Sequence, residues 1–309
     1  MTRMAVITKS YAPDFELCMA LNRSVLENSP DTIQHQIIVP RTDLKRFGRL
    51  AGPRTHIRCE ADLWPRYFAR VPFCNLMINL GRPFPPVRGW IQQQVIKLAA
   101  IAASEDDVVL TVDSDAEFVR PFTAETFVRD GAVRFFCNPN QIAKELSRHM
   151  TWHRVAHKLL GLPPAEPPYP DYISSPFAWD ATLVKGMLAR VQATTGRPWL
   201  TAIAEQLDFS ECVLYGVFVD HVMGAPARAF VSNASLSLVY WEPTPLNLDS
   251  AANFIRSIRP TDIAAVIQSK SRTPMAVRKE IFAALRAAQN TDHRLEGAGR
   301  GSLNLDSAA

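Results

Sequence analysis

The feature that most constrains this chain is a short buried-type strand that ends in acid: Val108-Val109-Leu110-Thr111-Val112 runs directly into Asp113-Ser114-Asp115. A brief aliphatic, β-branched run, preceded by the polar turn Glu105-Asp106-Asp107, reads as a strand covered on both faces, as in the parallel sheets of α/β proteins. Open sheets of that kind bind ligands beyond the carboxyl ends of their strands. The two carboxylates therefore emerge where ligand chemistry is expected.

The flanking sequence supplies the other parts of such a sheet. Met4-Ala5-Val6-Ile7-Thr8 is a strand, residues 15–26 carry helical spacing at Phe15, Met19, Asn22 and Leu26, and Ile37-Ile38-Val39-Pro40 is a strand ended by proline. Residues 82–86 read as a proline-rich connector. Residues 90–103 then place Ile91, Val95, Leu98 and Ala102 on one helical face, with Gln93 and Lys97 together on the opposite one. Residues 139–176 are irregular, with His149, Trp152, His153 and His157 near a proline cluster, and read as an inserted lobe or lid. A helix over 182–194 and strands over 229–232 and 236–241 resume the alternation. The expected organisation is one α/β unit over 1–290, with halves 1–120 and 121–290, followed by a small, polar, disordered tail over 291–309.

Composition narrows the partners. With 309 residues, 47% of them hydrophobic and 21% charged, the chain can bury a sizeable core. Its net charge of +4 suits anionic partners such as nucleoside diphosphates or acidic lipid head groups, and is too weak to imply nucleic acid. The cysteines Cys18, Cys59, Cys74, Cys137 and Cys212 lie far apart without zinc spacing, which predicts buried thiols in a reducing compartment. The amino terminus runs straight into a strand, and no stretch approaches the ~18 apolar residues of a spanning helix. The expectation is a cytoplasmic protein, with peripheral contact at the inner face of a membrane compatible with its charge.

In an extended segment residues i and i+2 share a side, so Asp113 and Asp115 can address one cation. Hard oxygen donors favour Mn²⁺ or Mg²⁺, which keep open positions for substrate phosphates. An isolated Asp-x-Asp is also a common solvated turn; the preceding strand and helix favour the metal reading here.

At these residues the chain resembles GT-A glycosyltransferases, whose Asp-x-Asp motif follows such a strand. The combination Val6-Ile7-Thr8-Lys9-Ser10-Tyr11, Gln92-Gln93-Gln94-Val95-Ile96-Lys97, Val112-Asp113-Ser114-Asp115 and Phe209-Ser210-Glu211-Cys212-Val213-Leu214-Tyr215-Gly216 is similar to a bacterial group within that superfamily, over residues 4–272. The resemblance implies a Rossmann-related, mixed but mainly parallel sheet flanked by helices, with an inserted acceptor-side lobe. It implies metal-dependent transfer of a sugar from a nucleotide-diphospho-sugar to a hydroxyl of a saccharide or lipid-linked saccharide, in surface polysaccharide or lipopolysaccharide assembly.

The same resemblance distributes roles. Thr8, Ser10 and Tyr11 would meet the nucleotide base, against the alternative of an ordinary turn with an exposed tyrosine. Gln93 and Lys97 would reach the nucleotide, Ser114 would join the two acids in the donor site, and Lys270, within Gln268-Ser269-Lys270-Ser271-Arg272, would fold over the diphosphate. Glu211, ahead of Asp208, would take the acceptor proton; an acidic cap at the start of the following helix is the competing reading. His221 would be a third metal ligand, ahead of Asp220 or Glu242. His149, Trp152 and His153 would line an acceptor pocket or pack as an ordinary helix face.

Two other classes compete. A nucleotidyltransferase or sugar-nucleotide pyrophosphorylase needs the same acidic strand end but carries a glycine-rich loop after its first strand, and residues 8–16 contain no glycine. A non-catalytic sugar-nucleotide-binding protein would tolerate loss of the acids, yet Asp113, Asp115 and Glu211 are intact.

Overall fold

A computed structural model of the protein describes residues 2–72 and 74–300. Strand β1 (Met4–Lys9) is buried almost throughout, and helix α1 (Phe15–Asn28) returns the chain so that β2 (Gln34–Val39) pairs parallel to β1. A one-turn helix α2 (Leu44–Phe47) leads to β3 (Thr55–Cys59), parallel to β2. Next comes an antiparallel meander of β4 (Phe68–Arg70), β5 (Leu76–Asn79) and β6 (Arg82–Arg88). The proline-rich connector expected over 82–86 is thus a strand. It lies at the edge of its three-stranded sheet, where a proline's missing N–H need not break a ladder.

Helix α3 (Gly89–Ala102) buries Ile91, Val95 and Leu98, as its periodicity requires, and delivers β7 (Val108–Thr111) to the free side of β1. Strand β8 (Ala116–Phe118) follows, then the hairpin of β9 (Val128–Arg129) and β10 (Ala132–Val133), and β11 (Phe135–Phe136). Strand β12 (Asn138–Ile142), helix α4 (Ser147–Leu160) and β13 (Tyr169–Asp171) occupy the region expected to be a lid. That region is part of the body: Trp152, Ala156, Leu159 and Leu160 of α4 join the same apolar core as α3. A helix holding this much buried aliphatic and aromatic surface cannot lift away cheaply.

Strand β14 (Phe177–Asp180) completes the main sheet antiparallel to β7. Helix α5 (Ala181–Thr195) is capped by the Asp180 carboxylate and followed by α6 (Trp199–Ala204) and α7 (Glu211–Phe218). Gly216 lets α7 lie against Tyr172, because a Cβ there would come within 2.1 Å of that ring. Strand β15 (Val231–Ser232) pairs with β11; β16 (Ser237–Tyr240), helix α8 (Leu248–Arg256), β17 (Ala264–Ile267) and helix α9 (Met275–Arg300) end the described chain. The tail expected from residue 291 begins inside α9, which continues to Arg300; residues 301–309 lie outside the described residues.

The main sheet has the order β14-β7-β1-β2-β3, with only β14 antiparallel, and a second sheet has the order β16-β17-β8. The architecture is mixed α/β, with a mainly parallel central sheet flanked by helices. Among the described residues no helix is long and apolar enough to cross a membrane. Cys18, Cys59, Cys137 and Cys212 are buried as expected, whereas Cys74 is exposed.

Candidate active site

The strand order reverses between β1 and β7, because the chain lays down β1, β2 and β3 in one direction and then returns to the other side of β1. At such a switch point the loops after the two strands diverge and leave a crevice. Here it is an open cleft of about 900 Å³, lined by Ser10 and Tyr11 beyond β1, by Asp113, Ser114 and Asp115 beyond β7, by Trp90 and Gln93 of α3, and by Gln268, Ser269 and Lys270 beyond β17. That volume is in the range of small-molecule sites.

Ser114 anchors the acidic turn: its Oγ donates to the Ser10 Oγ at 2.9 Å, both residues being buried. With Ser114 turned inward, its two neighbours face the cleft. Asp113 has a side chain 63% exposed and accepts from the Lys97 ammonium at 2.8 Å. Asp115 is more enclosed, and its Oδ2 accepts the Ser269 backbone N–H at 2.8 Å. Burial, then repulsion from Asp113, pushes the Asp115 carboxyl up to about 6, against the Ser269 bond and the Arg278 charge.

That shift fixes the sign of a pH effect. An acid with a raised folded-state pKa binds its proton more tightly folded than unfolded, so stability falls as pH rises from the ordinary carboxylate range through about 6. Asp115→Asn is expected to lack that part of the decline. Denaturant midpoints from about pH 4 to about pH 7 check it; parallel curves for parent and variant would show that Asp115 ionises without penalty.

Behind Asp113 lies a buried relay. Lys97 also sits 3.5 Å from Glu211 Oε1, so its ammonium bridges the cleft carboxylate and a second one almost sealed from solvent. Burial by itself would lower the lysine pKa, but the attraction of Asp113 and Glu211 outweighs it and holds Lys97 above its usual value. Burial raises the Glu211 pKa, with Lys97 acting in the opposite sense. Glu211 opens α7, and Gln94 of α3 accepts its backbone N–H at 2.8 Å. The helix cap is Ser210, whose side chain accepts from Val213 N–H, so the capping reading of Asp208 and Glu211 is replaced.

The loop after β17 is laid over the acidic turn. Ile267 N–H donates to the Asp115 carbonyl at 3.2 Å, and the buried Arg278 guanidinium donates to the carbonyls of Ile267, Gln268 and Thr273. Arg278 thereby holds the segment that brings Ser269 to Asp115 and Lys270 to the cleft. Sequence inspection missed it, since an arginine in an amphipathic helix reads as solvated surface. A second omission is Glu60, which borders the cleft between Lys9 at 2.9 Å and Arg70.

Of the residues singled out from sequence, Ser10, Tyr11, Gln93, Asp113, Ser114, Asp115 and Lys270 converge on the cleft. Thr8 does not: it is buried, with its hydroxyl 2.9 Å from His35 Nε2 on the neighbouring strand β2. His221 does not reach the acids either. It lies past the end of α7, its ring 5.3 Å from that of His157. Asp220 is engaged by Tyr172 and Arg228, and Glu242 is exposed away from the lining. Asp208 pairs with Arg148 at 3.4 Å, and Glu211 lies outside the cleft lining, in contact with the Lys97 ammonium that also meets Asp113. His149 packs on Trp152 and His153 stacks on Tyr169, each at 4.5 Å, so they form helix packing rather than a pocket wall.

The donor set suits a hard divalent cation such as Mn²⁺ or Mg²⁺. It is oxygen-only, and the repulsion that raises Asp115 is what a cation shared with Asp113 would relieve. Among the described residues no three His, Cys, Asp or Glu side chains converge into a group that could hold a metal ion, so Asp113 and Asp115 would be the residues to hold one here.

Sheet and cleft together define an α/β protein with an open cleft at its topological switch point. The chain belongs to the family described as "Family of unknown function (DUF6492)", whose model matches residues 4–238. The match includes β1, α3, the acidic turn and Glu211, and stops before the loop over 268–272. No curated protein matches the chain. Among solved structures, it is similar to the WbbM bifunctional glycosyltransferase in its apo form, at 12% identity and a TM-score of 0.44, over 86% of this chain and 45% of that one. It is also similar to an active-site mutant of LgtC, at 13% identity and a TM-score of 0.45, over 92% of this chain and 96% of that one. This chain therefore spans less than half the length of the WbbM chain.

Proposed function

We propose that this protein is a GT-A-type glycosyltransferase that moves a sugar from a nucleotide-diphospho-sugar to an acceptor hydroxyl, with Asp113 and Asp115 holding Mn²⁺ or Mg²⁺ against the donor diphosphate. The observation that carries the reading is the pair of carboxylates bordering a cleft of about 900 Å³ at the β1/β7 switch point, opposite Ser10 and Tyr11. A bound divalent ion would offset the charge that develops on the diphosphate as the sugar leaves.

The protein's own groups divide the remaining work. The exposed Tyr11 ring offers a stacking face to the base, and Ser10, tied to Ser114, keeps the base side and the acidic turn in register. Lys9 and Lys97 are bonded to carboxylates, whereas Lys270 meets none among the described residues and is the cleft cation open to a phosphate. In the reaction the bond from the anomeric carbon to the diphosphate oxygen breaks, its electron pair leaving with the nucleoside diphosphate, and one to the acceptor oxygen forms, the hydroxyl proton passing to the departing diphosphate or to water. Glu211 serves as a positioning residue: it fixes Lys97, which orients Asp113. A saccharide or lipid-linked saccharide acceptor, in surface polysaccharide or lipopolysaccharide assembly, is the substrate side of the same proposal.

Incubation with a panel of nucleotide-diphospho-sugars and Mn²⁺ tests the reading. Release of nucleoside diphosphate that requires the metal is expected; pyrophosphate release would instead mark a nucleotidyltransferase, and silence across the panel would remove the proposal. For Glu211→Gln, turnover at saturating substrates is expected to fall by less than about ten-fold, because the amide still accepts from Lys97. A drop of about 10²-fold or more with loss of the acidic limb of the pH profile would return Glu211 to a direct proton-transfer role.

A further inference from the structure

We propose that the tip of the β4–β6 meander docks this protein onto an anionic lipid bilayer, with Leu80 and Phe84 entering the head-group region and arginines meeting the lipid phosphates. One face of this small sheet is committed to the core through Phe68, Met77 and Val87. Two side chains here are left unexplained by packing: Leu80, in the turn after β5, is 60% exposed and Phe84, in β6, is 78% exposed. Tyr67, whose carbonyl accepts the Leu80 N–H, is also exposed. Leu207, 61% exposed, is joined to the element by Arg88, which donates to its carbonyl. Apolar residues scattered singly over a surface need no explanation, but a local concentration of them marks a contact surface.

Charge selects the occupant. Residues 64–90 contain Arg66, Arg70, Arg82 and Arg88 and no aspartate, glutamate or lysine. Arg70 is drawn to Glu60 on the cleft side and Arg82 lies 3.5 Å from Glu205, whereas Arg66 and Arg88 meet no carboxylate among the described residues. Exposed apolar side chains on a segment whose charged residues are all arginines match the boundary layer of an anionic membrane, where rings and aliphatic chains enter while long basic side chains stay with the phosphates. A second copy of the chain meeting this patch about a two-fold axis would set arginine against arginine. The cleft opens beside the element, since Arg70, Asn75, Gly89 and Trp90 line it. Docking would therefore hold the cleft at the bilayer surface, within reach of an acceptor carried on a lipid.

The test uses the full chain and co-sedimentation with phosphatidylcholine vesicles, with and without phosphatidylglycerol, so its readout does not depend on glycosyl transfer. Binding to the phosphatidylglycerol vesicles is expected, weakening as salt is raised. Leu80→Ser combined with Phe84→Ser should weaken it on the order of ten-fold or more, with an unchanged melting temperature because both side chains are exposed. Arg66→Gln combined with Arg82→Gln should lower binding to the anionic vesicles alone and flatten the salt dependence. Three outcomes overturn the proposal: no sedimentation of the parent with anionic vesicles, undiminished binding by the serine variant, or a parent dimer in sedimentation velocity that the serine changes dissociate. The last would assign the tip to self-association.

Discussion

Asp113→Ala and Asp115→Ala are each expected to abolish Mn²⁺ binding and to lower donor turnover by about 10³-fold or more, while leaving the fold intact. Under the proposed reading the cation is held by these two carboxylates, so losing either would remove half of its protein ligands. The fold should survive for different reasons at the two positions. The Asp113 side chain is largely in solvent, and its removal still leaves Lys97 paired with Glu211. Asp115 is held against burial and a neighbouring like charge, so deleting its carboxylate relieves a penalty at neutral pH. Titration calorimetry with Mn²⁺ alone, beside thermal melts without it, separates the two effects. Parent-like Mn²⁺ binding by either variant would show that the acids do not form the metal site.

Lys97→Met should produce the largest change in stability, a loss of about 3–5 kcal/mol, because it leaves the enclosed Glu211 carboxylate without its cation. Burial already raises the Glu211 pKa, and Lys97 is the main charge acting against that rise. Without the lysine, Glu211 would hold its proton further up the pH scale. The instability should therefore deepen as pH rises above the ordinary carboxylate range and shrink below it. Adding Glu211→Gln to Lys97→Met should recover most of the loss, since an amide has no buried charge to compensate. Chemical denaturation of the two single variants and the double variant gives the coupling. A Lys97→Met protein with the parent's midpoint would mean that Glu211 is neutral in the parent and that no relay reaches Asp113.

The parts of the fold legible in the sequence are those set by neighbours along the chain. Strand β7 and its acidic end, the buried face of α3, and the succession β1, α1, β2 follow from local periodicity, and each element lies within a few residues of its expected place. Strand β6 was hidden because Pro83, Pro85 and Pro86 signal a break until an edge position is known to excuse them. Helix α4 lay in a stretch read as an irregular lobe or lid, and of the two readings open for His149, Trp152 and His153 the ring contacts with Trp152 and Tyr169 select the packed helix face.

At the site, the sequence by itself determined that two acids leave the end of a buried strand. Only the tertiary structure decided which charges meet them. Lys97 could be seen on a helix face, but its bond to Asp113 and its contact with Glu211 arise from packing α3 against β1 and α7. Thr8 and Ser10 share a side of an extended segment and both are buried, yet Thr8 bonds to His35 of β2 whereas Ser10 accepts from Ser114 of the acidic turn and so borders the cleft. Arg278 reaches the acidic turn through backbone carbonyls of a loop that no motif announces. Periodicity is written within one element by its own hydrogen-bond geometry, whereas the partner of a charge depends on which distant surfaces exclude water together.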